Sequence, residues 1–532
     1  MTTTSLPRLE RSGNATLLMV DDEPFVIRGG ELGNSSAERA YLEPYWPRLQ
    51  AMGLNAVVAP VYWDVVEPAE GSFDWTTVDE LLEDARAHGM RLVLLWFGSW
   101  KNSMSCYAPG WVKADVARFP RVRGSRGQAL EILTPFSDAN RDADARAFAA
   151  LMAHLRAADG EHTVVMVQVE NEIGMIPEAR DHTPEAEAAF AAQVPVELLK
   201  HLAVHRATLG ADLLARWTAA GERTEGTWTE VFGDSAATEE IFQAWAFAQY
   251  VDVVTAAGKA ELDLPMFTNA ALIRAGAQPG QYPSAGPLPH LADIWRAGAP
   301  ALDFIAPDIY FPNFAHWADA YVESGNPLFV PEALRSVDAA ANALYAYGKH
   351  GALGFSPFGI ESVGGHEAAM LTACYDVVGQ LTPLIAAHAG DGSMTGFLPP
   401  ADDMRTPHRV RLDDVVLEAT YERVPAPALA DGVINESGQA AGTTQLPAAA
   451  IVIRTGPDEL VVGGIGVTLT FHAVEPGGDV VGILACEEGR YAADGEWQRL
   501  RWLNGDQTHQ GRHVRLEPGR FTVQRVKLYR YR

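Results

Sequence analysis

Acids stand behind apolar runs in four places, and these are the residues whose types and spacing could do chemistry. The stretch "TVVMVQVENEIGM" (163–175) passes from β-branched residues straight into Glu170, Asn171 and Glu172. "PLFVPEAL" (327–334) carries Glu332 directly behind a buried-looking run, Glu31 follows the run in "FVIRGGEL" (25–32), and Asp308 and Tyr310 finish "DFIAPDIY" (303–310). Any one of these acids is as readily a helix cap or a salt-bridge partner. Two that converge on one substrate can divide proton transfer and nucleophilic attack between them.

Convergence depends on the elements that carry the acids. Eight short apolar runs bounded by turn residues recur through the first 390 residues: 25–32, 55–63, 91–100, 163–170, 265–270, 303–310, 327–334 and 351–359. Longer amphipathic stretches separate them, the alternation of a parallel sheet wrapped by helices. Eight is the number that closes a (β/α)8 barrel, in which polar residues at the carboxyl ends of strands face the mouth and the strand bodies only pack. The runs 163–170 and 327–334 are then strands 4 and 7, and their ends can meet over one substrate. "TTVDELLEDARAHG" (76–89) shows how the helices are marked, with Thr at its start, acids in its first turns and Gly just past its end. Region 178–262 holds more than one helix and reads as an insertion as well as a connection.

From about 395 helical periodicity disappears. Short strands at 448–455, 466–474, 479–489 and 521–531 alternate with Gly, Pro and Asp turns. The expected organisation is a catalytic barrel over 1–390 with the helical insertion 178–262, followed by an all-β sandwich over 395–532. A formal charge of −27, with no basic stripe, argues against sequence-independent binding to nucleic acid. Cys106, Cys374 and Cys486 are too scattered for a metal site or a disulfide framework and read as buried, reduced thiols. "MTTTSLPRLERSGNATLLMVDDEPF" has no apolar h-region, and no later run approaches a membrane span, so a cytoplasmic protein is expected, with no membrane partner. The sequons at Asn14, Asn34 and Asn435 then carry no meaning.

The residues around these acids resemble a known family. "VQVENEIG" is similar to the acid/base motif of retaining (β/α)8 glycoside hydrolases, in particular the family 35 β-galactosidases. "LNAVVAPVYWDVVEPAEGSFDW" repeats their strand ending in an aromatic and Trp, then Glu-Pro, then Gly-x-Phe-Asp. The resemblance covers most of residues 20–360, and the remainder looks like the separate β domain of one bacterial branch. It implies Glu172 as general acid/base, Glu332 as nucleophile, Asn171 as the amide on the sugar's 2-hydroxyl and Tyr310 as the hydrogen-bond donor to the nucleophile. Glu170 becomes a sugar-binding or pKa-setting neighbour. Retention needs the two carboxyl groups about 5 to 5.5 Å apart and the acid protonated near neutral pH, which burial and the charge of Glu332 favour at Glu172.

The resemblance has departures. Ile173 stands where the family carries Tyr, "GGELGNSS" replaces an Ile-His-Tyr type of first strand end, and Glu332 follows Pro331 where the family shows Thr-Glu-aromatic. The reaction type is therefore better determined than the sugar. The implied activity is exo-cleavage of terminal β-D-galactose. Another retaining β-glycosidase (β-glucosidase, β-fucosidase or α-L-arabinopyranosidase), or a carbohydrate-binding barrel without turnover, is the alternative. No cofactor or metal is expected, the partner is a β-galactoside, and a homo-oligomer is left open.

Aromatic residues at the mouth would stack on pyranose C–H faces. Tyr62 and Trp100 are the candidates, whereas Trp96 and Phe97 read as packing between barrel and helices. Glu31 and Asn269, at the ends of strands 1 and 5, are candidate hydroxyl binders. Other chemistries fail on spacing. His201 and His205 lack the Glu of H-E-x-x-H, "GFSPFG" (354–359) misses the nucleophile elbow by one residue, and "GGIG" (463–466) lies among strands.

Overall fold

The computed structural model describes residues 5–323, 325–401, 406–422, 445–475 and 478–532; Asn435 lies outside them. The eight expected strands are present and parallel. They are numbered here β1 (Ile27–Arg28), β2 (Ala56–Tyr62), β3 (Arg91–Lys101), β4 (Val164–Asn171), β5 (Met266–Ala271), β6 (Phe304–Ile309), β7 (Phe329–Ala333) and β8 (Gly354–Pro357). They pair in the order β1-β8-β7-β6-β5-β4-β3-β2. Glu31 closes the ring with bridges to Val58 and Phe358, and Val58 N donates to Gly30 O at 2.9 Å. The strands are apolar on both faces because one face fills the barrel and the other meets helices. Phe267 stacks on Phe304 at 5.0 Å and meets the edge of Phe329 at 5.2 Å.

A helix follows each strand, as the alternation predicted. The one after β2 spans Thr76–Ala87, with Gly89 just beyond it at φ +65°. Thr76 is not its cap: Asp74 Oδ1 accepts from Thr76 N and Oγ1, so the preceding aspartate organises the first turn. Region 178–262 holds helices at 184–191, 196–204, 211–219, 228–232 and 236–261. An N-terminal hairpin, Arg8–Ser12 with Ala15–Val20, was not anticipated. It lies across the amino-terminal end of the barrel, where Asp21 pairs with Arg91 at the start of β3.

Beyond the barrel, the described residues form two antiparallel sheets. A six-stranded sheet built on Ala449–Gly456 and Thr522–Tyr531 faces a four-stranded one built on Val415–Tyr421 and Val467–Ala473. Leu417, Leu469, Val452, Val462 and Val526 fill the space between them. The other face of the larger sheet carries Ile451, Ile453 and Val461 into the barrel's core, against helices Ala339–His350 and Gly365–His388. Close approach requires glycine here, since a Cβ on Gly348 would come within 2.9 Å of Ile451 Cγ1. Helix Gly365–His388 is long and apolar enough by composition to cross a membrane, yet Leu371, Cys374, Tyr375, Val378 and Leu381 on it are buried in this protein. Cys374 and Cys486 are buried as expected. Cys106 is exposed, because it sits on a loop whose residues alternate between inside and outside.

Candidate active site

The answer to why β4 ends in two carboxylates begins on its neighbour. Trp96 of β3 pairs with Val169 and Lys101 with Asn171, so β3 spends five residues where β4 spends two. The bulge removes Ser99 and Trp100 from the ladder and leaves their N–H groups buried without strand acceptors. Glu170 supplies the missing acceptors, Oε1 taking Ser99 N at 3.1 Å and Oε2 taking Trp100 N at 2.7 Å. Its other close group is Asp144 of helix Asp138–Ala158, which accepts from Trp96 Nε1 at 2.8 Å. Burial, and next the charge of Asp144, push Glu170 well above the carboxylate range. Glu170 therefore belongs to the layer between barrel and helices, and the expectation of a sugar-binding or pKa-setting neighbour of Glu172 is corrected.

Strict alternation would aim Glu172 the same way as Glu170. Instead Glu170 and Glu172 both take left-handed backbone, φ +63° and +45°, and the alternation breaks. Such conformations cost about 1–3 kcal/mol each for residues other than glycine and cluster at functional sites. The turn delivers Glu172 to the mouth. One carboxylate oxygen each from Glu172, Glu332 and Asp308 lie within 4.8 Å of one another. Asn269 of β5 holds this arrangement from behind. Its Oδ1 accepts from Glu172 N at 2.9 Å and its Nδ2 donates to Asp308 Oδ2 at 2.6 Å. Asn269 is thus a brace between Glu172 and Asp308, a role that the expectation of a hydroxyl binder did not include.

Glu332 leaves β7 opposite Asp308 of β6, and the Tyr310 hydroxyl donates to its Oε1. Burial, then the negative charge of Glu172, push Glu332 up to about 7, against the opposing pull of Lys101 and the Tyr310 hydrogen bond. The sequence reading had placed that upward push on Glu172. Glu31 and Asp308 are raised well above the carboxylate range, by burial first and the charge of Glu332 second.

The aromatic candidates fare differently. Trp100 is fully buried, donates Nε1 to Leu133 O at 3.1 Å and packs on Tyr250 and Phe247 of helix Ala236–Glu261. Tyr62 accepts Ala37 N on its hydroxyl at 3.3 Å, and its ring face is covered by Tyr107 at 5.4 Å. Neither offers a free face, so both expectations of a sugar platform are corrected. The bulge explains Trp100: it turns that residue out of the mouth and into the helix layer. Trp96 and Phe97 are packing, as expected.

Sequence reasoning passed over Lys101, Asn102 and Ser103. They form a two-residue hairpin turn closed by Lys101 N to Met104 O at 2.8 Å and Met104 N to Lys101 O at 3.0 Å. Asn102 and Ser103 both have positive φ, +48° and +67°, as a type I′ turn requires. The hairpin arches over Glu172: Ser103 N donates to Glu172 O, and Asn102 Nδ2 donates to its Oε2. Asn-Ser directly after a strand end was the available signal. Asp308 was seen at its strand end, but nothing in the sequence showed that it would face Glu332.

Glu172, Asp308 and Glu332 also make up a hard oxygen set of the kind that binds divalent cations. Tyr310 and Asn269 already occupy one oxygen each of Glu332 and Asp308. Four buried carboxyls at the ends of different strands, three of them with oxygens within 4.8 Å of one another, can between them move a proton and attack a neighbouring carbon.

Parts of the chain are similar to known proteins. The model of glycosyl hydrolases family 35 matches residues 17–212, which include Glu172 but stop short of Glu332. A domain of unknown function, DUF5597, matches 371–515, beginning inside the helix on which the larger sheet rests. A β-galactosidase of Xanthomonas manihotis is 29% identical over 176 residues, 31% of this chain, and the chain spans only 26% of that relative's length. Solved β-galactosidases of the psychrophilic Marinomonas ef1 (13% identity, 68% of this chain, 60% of that one, TM-score 0.48) and of Bacillus circulans sp. alkalophilus (15%, 67%, 56%, 0.47) are also similar. Residues 17–212 are thus similar to the glycosyl hydrolases of family 35, and they belong to an eight-stranded parallel barrel that is followed by antiparallel sheets.

Proposed function

We propose that this chain removes terminal, non-reducing β-D-galactose from soluble glycosides by double displacement. The observation that carries the reading is the approach of Glu172 and Glu332 oxygens to within 4.8 Å at the barrel mouth. Retaining glycosidases hold their carboxyls about 5–5.5 Å apart, and inverting ones about 6.5–9.5 Å to admit a water. In this mechanism Glu332 attacks the anomeric carbon while Glu172 gives its proton to the departing oxygen. Glu172 then takes a proton from the water that releases the sugar from Glu332. Tyr310 stays protonated, because burial and the charge of Glu332 raise it, and so orients the nucleophile without titrating. Asn171 meets the 2-hydroxyl. Glu31, with one oxygen free of any donor, meets another hydroxyl. The match to family 35 and the Xanthomonas relative support galactose as the sugar.

Incubation with nitrophenyl β-galactoside, β-glucoside, β-fucoside and α-arabinoside tests the proposal. Release from the galactoside is expected to dominate; preference for another sugar overturns galactose alone, and no release from any overturns hydrolysis. Glu332→Gly should be inactive until azide is added. Azide then forms the bond to the anomeric carbon as the aryl oxide leaves, and the product is the α-azide. A β-azide would instead assign Glu332 as the acid/base.

A further inference from the structure

Lys101 is 4% exposed, an unusual situation for an ammonium, whose desolvation is costly unless it is compensated. Its backbone is held by the hairpin to Met104, and its Nζ lies 5.2 Å from the centroid of the Phe97 ring. The ammonium reaches Asn171 Oδ1 at 2.8 Å. An ammonium donates and cannot accept. The atom of the Asn171 amide facing it must therefore be the oxygen, whatever other orientation the side chain could adopt. The amide's Nδ2 is thereby turned away from Lys101. It is fully buried and has no partner in the protein.

An unpartnered buried N–H group is costly, so something must hold it in that orientation. We propose that Lys101 is a positioning residue that fixes the Asn171 amide with its NH2 aimed at the substrate, making Asn171 an obligatory donor to the sugar's 2-hydroxyl oxygen. This rests on the glycosidase reading above and adds what chooses the donor. Without the ammonium, the amide can turn and present its oxygen, and the site loses its preference for an acceptor at that position. Lys101 also faces Glu31 and Glu332, whose rise it opposes, in a mouth that further contains Glu172, Asp308 and Tyr310. Its charge offsets part of the repulsion among the carboxylates.

The test compares galactose, 2-deoxygalactose and 2-deoxy-2-fluorogalactose as free sugars in calorimetry, and the nitrophenyl glycosides of the first two in turnover; the fluorine accepts and cannot donate, whereas a 2-hydroxyl does both. Lys101→Met, similar in length and neutral, should abolish the wild-type preference for the 2-fluoro sugar over the 2-deoxy sugar, while the 2-hydroxyl, able to donate to a turned amide oxygen, keeps part of its own. Asn171→Asp keeps Lys101 and replaces the donor by an acceptor, and should abolish the same preference in a protein that needs no lysine repacking. Equal losses for all three sugars in Lys101→Met, or an unchanged ratio of the 2-fluoro to the 2-deoxy sugar, overturn the proposal. Binding does not require turnover. A wild-type protein that discriminates the 2-fluoro from the 2-deoxy sugar but hydrolyses neither glycoside would sink hydrolysis and leave the positioning role standing.

Discussion

Two buried acid clusters lie on either side of β4, and they have opposite fates. On the outer side, Glu170 and Asp144 are surrounded by donors: the backbone N–H of Ser99 and Trp100, the Trp96 indole and the Tyr250 hydroxyl, which approaches Asp144 at 3.4 Å. On the inner side, Glu31, Asp308 and Glu332 each keep an oxygen that meets no N–H or O–H donor, and Asn171 keeps an unused NH2. Burial is the same in both. The difference teaches that depth and charge do not mark the functional acids; unfinished hydrogen bonding does, because a folded interior normally completes it.

The comparison can be broken by exchanging single carboxyls for amides. The largest effect is expected from Glu172→Gln, which should lower kcat by about 10²–10⁴-fold on substrates with poor leaving groups and much less on activated aryl glycosides. Its thermal midpoint should not fall. Next is Glu332→Gln, read as stability. Glu332 is raised from the ordinary carboxylate value of 4.5 to about 7, so its protonated form supports folding fully below 4.5, and that support is lost as pH rises toward 7. An amide has no such loss. The variant should therefore gain on the order of 3 kcal/mol over the wild type between about pH 4 and pH 8 in denaturant titrations. A pH-independent difference would mean that Glu332 is not the group that carries the strain of the mouth. The smallest effect is expected on the outer side. Glu170→Gln sets an NH2 against one of the two backbone N–H donors and should cost about 1–3 kcal/mol of stability, with kcat of the folded protein nearly unchanged. If it cost activity and spared stability, the division between the two clusters would fall.

Much of the architecture was legible because it follows from periodicity. Eight apolar runs became eight strands, and the all-β texture after 395 became paired sheets. The acids at strand ends were legible for the same reason, since the barrel mouth is where such residues emerge. The backbone excursions were not. Trp100 was expected at the mouth because it follows a strand, yet three extra residues in β3 turn it into the helix layer. Tyr62 was misplaced for a different reason, in that Tyr107, from a loop 45 residues on, covers its face. Lys101 carried no signal in the sequence, and only the hairpin that follows it brings the ammonium against Asn171.

The sequence alone determined which residue types could meet: a Glu-Asn-Glu at one strand end, a Glu at another, and the alternation that puts both ends on one rim. Local propensity and burial period suffice for that, because they act over a few residues. Which carboxyl of the pair at 170 and 172 faces substrate was decided only by tertiary structure. That choice depends on a bulge in the neighbouring strand, two left-handed residues and an asparagine 97 residues away that holds Glu172 by its backbone. Hydrogen-bond completion is a property of groups brought together from distant parts of the chain, and no local pattern records it.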